Sequence, residues 1–213
     1  MKERLRKSFA LSLFHSFALS LFRSLETLNR LDTDLFLWLN GLHADWLDPV
    51  MIAITNRYTW FPFYALLIGW LGYTYRREAI AVVLTLVVAV VLSDQVTSSV
   101  LKPLTVRLRP CHVPELQKLI HPVLDCGGLY GFASSHAANS FGLAMAVWLL
   151  MGQRFPAFRW LFLWAFLVSY SRIYVGAHYP LDILAGAGVG VLCAFVAVWL
   201  IRQVVASGKK TVS

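Results

Sequence analysis

The chain has 213 residues, of which 58% are hydrophobic and 14% charged, and its mean hydropathy is +0.64. Soluble domains carry about 45–50% apolar residues, so the composition excludes an ordinary soluble globule and places the chain in a bilayer. The net charge of +8 sits in short clusters between apolar runs; with no continuous basic face, nucleic acid is excluded as a partner.

In chain order, residues 1–33 read as a basic and apolar N-terminal helix. Lys2, Arg4, Arg6 and Lys7 precede an octet, Ser8–His15, that is nearly duplicated as Ser16–Arg23. The duplication places Ser8, Ser12, Ser16, Ser20 and Ser24 at four-residue spacing, a small polar stripe on an apolar helix. A basic start before an apolar stretch resembles a signal peptide, but no small-x-small cleavage site follows, so the segment is expected to be retained. Residues 34–59 are apolar but interrupted by Asn40-Gly41, Asp45 and Asp48-Pro49, with Trp38 and Trp46 at interface depth. This segment is expected to lie along the membrane surface.

Residues 60–202 form the core. A spanning helix needs about 20 mostly apolar residues, and five runs approach or reach that length: Trp60–Tyr75, Ala79–Val100, Ala137–Met151, Ala157–Tyr170 and Ile183–Ile201. Lipid-exposed backbone must satisfy its own hydrogen bonds, so all are read as helices. Arg76-Arg77, Arg154 with Arg159, and Arg202 with the tail 203–213 fall on one side if every run crosses, and positive loops mark the cytoplasm. The N-terminus joins them there only if residues 8–28 also cross. The expected fold is therefore an all-α integral membrane bundle of about six transmembrane helices, in a bacterial inner membrane, with loops 101–135 and 171–182 facing the periplasm.

Those two outward loops hold the unusual residues: Lys102, Arg107 and Arg109-Pro110; then Ser134-Ser135-His136; then Ser171-Arg172, His178 and Asp182. A single Lys or Arg at a helix end is ordinarily an anchor that snorkels to the headgroups. Ser before a helix is ordinarily a cap, and Asp in a first turn is common by itself. The combination says more. Cations, a helix N-terminus and hydroxyls are what a phosphate requires, and an Asp four residues after a His can fix its tautomer and free the other nitrogen as a nucleophile.

Lys102-x6-Arg109-Pro110, Ala133-Ser134-Ser135-His136 and Ser171-Arg172-x5-His178-x3-Asp182 resemble the three-part signature of the type 2 phosphatidic acid phosphatases: K-x6-R-P, P-S-G-H and S-R-x5-H-x3-D. Only the middle part departs, with Ala133 for proline and Ser135 for glycine, the latter putting a side chain where backbone N–H groups approach phosphate. The resemblance implies a metal-independent, cofactor-free hydrolysis of a phosphorylated membrane lipid. Lys102, Arg109, Arg172, Ser134 and Ser135 would bind phosphate. His178, oriented by Asp182, would attack phosphorus, and His136 would protonate the leaving oxygen. Undecaprenyl diphosphate, lipid A phosphate and phosphatidic acid or phosphatidylglycerol phosphate are all compatible with the signature. The vanadium haloperoxidases resemble the same signature but are soluble folds, and an anionic-lipid carrier would not require the His178–Asp182 pairing.

Other residues of these loops carry plainer readings. His112 and His121 are expected at the surface or against headgroups, and Arg107 and Lys118 as solvated loop charges. Asp94, inside an apolar run, is expected either to pair with a site cation or to bridge two helices. Cys193 is expected in packing, and Cys111 and Cys126 either pair or remain free thiols.

Overall fold

A computed structural model describes the backbone of residues 2–210 and the side chains of residues 19–204. Apart from one isolated antiparallel bridge between Leu108 and Tyr130, its regular structure is helical throughout the described residues: α1 (Lys2–Asn40), α2 (Asp48–Thr55), α3 (Phe61–Tyr75), α4 (Ala79–Gln95), α5 (Lys102–Thr105), α6 (Ser135–Met151), α7 (Trp160–Tyr174) and α8 (Pro180–Lys210). All five apolar runs of the core become helices. The expected break at residue 33 falls inside α1, which continues to Asn40. The side chains of Ser8, Ser12 and Ser16 in the serine stripe, and of the basic residues at either terminus, lie outside the described residues.

Local chemistry sets the boundaries. Pro62, Pro156 and Pro180 occupy the first positions of helical segments, where proline's missing N–H has no partner to lose. Arg76, at φ 48°, turns the chain between α3 and α4. Two stretches, Arg57–Thr105 and Pro180–Val204, are long and apolar enough to cross a membrane, the first being folded back at Arg76. Large apolar side chains project outward from these helices, among them Leu66, Tyr73, Ile80, Leu184 and Trp199. Water would penalise such a surface, whereas lipid would not.

Helix α6 lies at the centre, packed against α4, α7 and α8. Its crossing with α8 is very close. A Cβ added at Gly186 would stand 2.4 Å from the Ser134 carbonyl oxygen, and one at Gly190 would stand 2.1 Å from that of Ala138. Small residues one turn apart thus let the two backbones approach, as they do between membrane helices generally. The close approach brings the first turn of α8 to the start of α6, where the Ser134 N–H donates to the Asp182 carbonyl at 3.0 Å.

Candidate active site

Every residue of the three-part signature lies where α4–α5, α6, α7 and α8 end on one side of the bundle. After α4 the chain widens into a π-helical turn, Val96–Leu101, a local device that shifts the phase of the following residues. Thr97, Ser98 and Lys102 consequently all reach Ser135. Its hydroxyl accepts from Lys102 Nζ at 2.7 Å and lies 2.9 Å from Thr97 Oγ1 and 3.1 Å from Ser98 Oγ. The side chain that stands where the signature has glycine thus turns toward α4 and holds the Lys102 amine.

Ser134 is fully buried and caps α6, its Oγ accepting from the Ala137 N–H at 3.4 Å. His136 stands in the first turn of α6. Arg109 extends from the Leu108–Tyr130 bridge and donates to two carbonyls, Nη1 to Cys126 at 2.6 Å and Nε to Tyr130 at 3.2 Å. Cys111 and Cys126 form a disulfide, with Cα atoms 6.5 Å apart, and this closes the loop that presents the Cys126 carbonyl. Burial pulls the Arg109 guanidinium below its ordinary pKa.

On α7, Arg172 donates from Nη1 to Thr55 Oγ1 at 2.6 Å, while its buried Nε has no partner. The following loop turns at Gly176, whose φ of +75° is a conformation that side chains disfavour. This turn delivers His178 to the site at 1% exposure. Burial, then the positive charges of Arg172, Arg109 and Lys102, push His178 well below the ordinary imidazole pKa, which keeps the ring neutral. Its Nδ1 faces Asp182 Oδ2 at 3.4 Å and has no hydrogen bond. That is ion-pair reach but longer than a charge-assisted hydrogen bond, and such contacts commonly tighten when substrate arrives.

Arg107, expected as a solvated loop charge, instead bridges two buried carboxylates. It donates to Asp182 Oδ1 and to Asp32 Oδ2, each at 2.7 Å, and to Asn29 Oδ1 at 2.9 Å. Its guanidinium also lies 4.2 Å over the Tyr179 ring. The second Asp182 oxygen accepts from the Tyr179 N–H at 3.0 Å, and Asp32 accepts from the Leu181 N–H at 2.9 Å. Helix α1 thereby caps α8 and holds the carboxylate that faces His178. Sequence reasoning missed Asp32, Asn29 and Thr55. The one available signal was Asp32 itself, a carboxylate in an apolar helix.

Two further expectations resolve. His121 is not a surface group: it is half-buried, its Nε2 is 3.0 Å from both oxygens of Asp48, and its ring stacks on His43. Asp94 bridges helices, accepting from Asn139 Nδ2 of α6 at 3.3 Å. Among the described residues no group of three or more His, Cys, Asp or Glu side chains is placed to hold a metal ion.

A cavity of about 210 Å³ opens on the His136 side, lined among others by Arg57, Asp94, Ser135, Asn139 and Trp164. It shares Tyr64 and Asn139 with an apolar groove of about 310 Å³ between α3 and α4. A cleft of about 340 Å³ exposes Arg172 and His136 beside Thr55 and Arg57. A separate apolar groove at Leu66, Trp70 and Phe158 holds no titratable group.

A buried imidazole, the carboxylate facing it and three cations thus gather at the ends of packed apolar helices. The chain belongs to the PAP2 superfamily, whose pattern it matches over residues 78–206, and it is a phosphatase. It is 38% identical over 175 residues to the lipid A 4'-phosphatase of Bacteroides thetaiotaomicron, covering 78% of this chain and 75% of that protein. It is 32% identical over 173 residues to the undecaprenyl-diphosphatase of Sulfolobus acidocaldarius, covering 78% and 77%. The fold is similar to the crystal structure of the first transmembrane PAP2 type phosphatidylglycerolphosphate phosphatase from Bacillus subtilis, at TM-score 0.63 and 20% identity over 83% of this chain and 87% of that one.

Proposed function

We propose that the protein hydrolyses the phosphate of a membrane lipid through a phosphohistidine intermediate, without a metal. The observation that carries this reading is His178, buried and neutral beneath three cations, with a polar cavity and an apolar groove leading away on the His136 side. Phosphoryl transfer asks chiefly for positioning and for positive charge around the equatorial oxygens. Lys102, Arg109 and Arg172 supply that charge, the unpaired Arg172 Nε offers a ready donor, and the α6 N-terminus adds its N–H groups.

In this mechanism His178 Nε2 attacks phosphorus in line, and the bond to the lipid oxygen breaks. His136 gives its proton to that oxygen. Asp182 holds the cationic His178 through Nδ1. Water then attacks the phosphohistidine, giving a proton back to His136, and inorganic phosphate leaves. The apolar exterior and the basic loops support an inner-membrane bundle of about six spans, with residues 34–59 along the interface, the tail 203–213 in the cytoplasm and the site toward the periplasm, where a disulfide persists.

The test is phosphate release by detergent-purified protein from lipid A, undecaprenyl diphosphate, phosphatidic acid and phosphatidylglycerol phosphate, with EDTA present. Release from at least one lipid, undiminished by the chelator, is expected. Loss of activity to EDTA would refute the metal-free mechanism, and no release from any lipid would refute the phosphatase reading.

A further inference from the structure

Two residues that line the cavity on the His136 side each carry a buried polar atom without a hydrogen-bond partner: Asn139 through Oδ1, an acceptor, and Trp164 through Nε1, a donor. Neither is an accident of side-chain orientation. The Asn139 amide nitrogen must face the Asp94 carboxylate, to which it donates at 3.3 Å, and this leaves its oxygen directed elsewhere. The indole has a single donor and no rotamer that converts it to an acceptor. Unpaired groups of this kind are costly in an apolar bundle, and each calls for a partner. Arg57 and Ser140 line the same space, so the cavity offers a hydrogen-bond acceptor, two donors and a hydroxyl beside the imidazole assigned to the leaving oxygen.

We infer that this cavity is the subsite for the leaving group's polar head, and that it selects a lipid whose phosphate-bearing head also carries a hydroxyl or amide N–H, as an acylated sugar phosphate does. A head hydroxyl or amide N–H donates to Asn139 Oδ1, and a head oxygen accepts from Trp164 Nε1. The acyl chains leave through the groove that shares Tyr64 and Asn139 with the cavity. A plain diacylglycerol phosphate has no donor for Asn139 and leaves that oxygen unpaired. A site built to bond a substrate N–H or O–H discriminates strongly against analogues that lack it.

This inference rests on the lipid-phosphatase reading, and its test separates the two. The full-length protein in detergent is assayed for kcat/KM on 4'-phosphorylated lipid A and on phosphatidic acid, alongside Asn139→Leu and Trp164→Phe, with thermal melts to monitor folding. The unsubstituted protein is expected to favour the sugar lipid, and Asn139→Leu to lower the ratio of the two kcat/KM values by roughly tenfold, the scale of one well-placed hydrogen bond, while Trp164→Phe lowers kcat/KM on both lipids, since each has a head oxygen for the indole. Should Asn139→Leu not fold, the smaller Asn139→Ala, which removes the same oxygen, decides in its place. Equal losses on both lipids in the Asn139 variant would mean that this oxygen serves a hydrated structural cavity, and would overturn the subsite. Preference of the unsubstituted protein for phosphatidic acid would also overturn it while leaving the phosphatase standing. Absence of release from either lipid, and from the wider panel, would overturn both.

Discussion

Arg107→Ala tests the most consequential contact that the fold adds to the signature. Arg107 is the shared partner of Asp32 and Asp182, whose side chains are 1% and 0% exposed, while its own is 20% exposed. Removing one member of a buried ion pair leaves an uncompensated charge and costs about 3–5 kcal/mol, and partial access of water to Arg107 reduces this to about 2–4 kcal/mol. For a chain of this length, 1 kcal/mol corresponds to about 2–4 °C, so the melting temperature should fall by about 5–15 °C. Release of the Asp182 carboxylate also leaves His178 without its orienting partner, and misplacement by about 1 Å costs on the order of 100-fold. Because Arg107 does not face the phosphate, the loss should appear in kcat with KM little changed. Arg107→Lys keeps the charge but cannot fork between two carboxylates, and should lie between the two. A variant with unchanged melting temperature and kcat, or one whose defect lies wholly in KM, would refute the positioning role.

Two further predictions concern pH and redox state. His178 must be neutral to attack, and burial with the neighbouring cations sets its pKa well below the ordinary value. Its protonation, and with it the acid limb of kcat/KM, should therefore appear only as pH falls well below about 6.5, and an acid limb at or above that value would contradict the assignment. Replacing both Cys111 and Cys126 by Ser opens a loop closed at a sequence separation of 15, for which chain entropy gives about 3 kcal/mol. Because the Cys126 carbonyl holds Arg109, KM should rise in the double variant and equally in reduced protein, and an unchanged KM would separate the disulfide from the site.

The positions of the core helices were legible because long apolar runs in a bilayer have few alternatives to helix. The predicted run ending at Met151 and the observed α6 share that end, and Tyr75 closes both the first core run and α3. The signature residues were legible because spacing within one loop or one helix start carries their chemistry. What spacing did not carry is whatever depends on elements distant in sequence. Arg107 occupies an unspecified position of K-x6-R-P, and its partners Asn29 and Asp32 lie 78 and 75 residues away. Thr55, which holds Arg172, is 117 residues from it. The direction of the Ser135 hydroxyl likewise follows from the π-helical turn at Val96–Leu101, which no local periodicity announced.

The central claim is that His178 itself takes the phosphoryl group. The most direct measurement is rapid denaturing quench of the enzyme during turnover of a phosphorylated lipid, followed by peptide mass spectrometry under alkaline conditions that preserve phosphohistidine. The account predicts a phosphorylated His178 that accumulates in His136→Ala, is absent from His178→Ala, and disappears when substrate is exhausted. Phosphate release in the His178→Ala variant at the unsubstituted rate, or a phosphoryl group trapped on another residue, would contradict it.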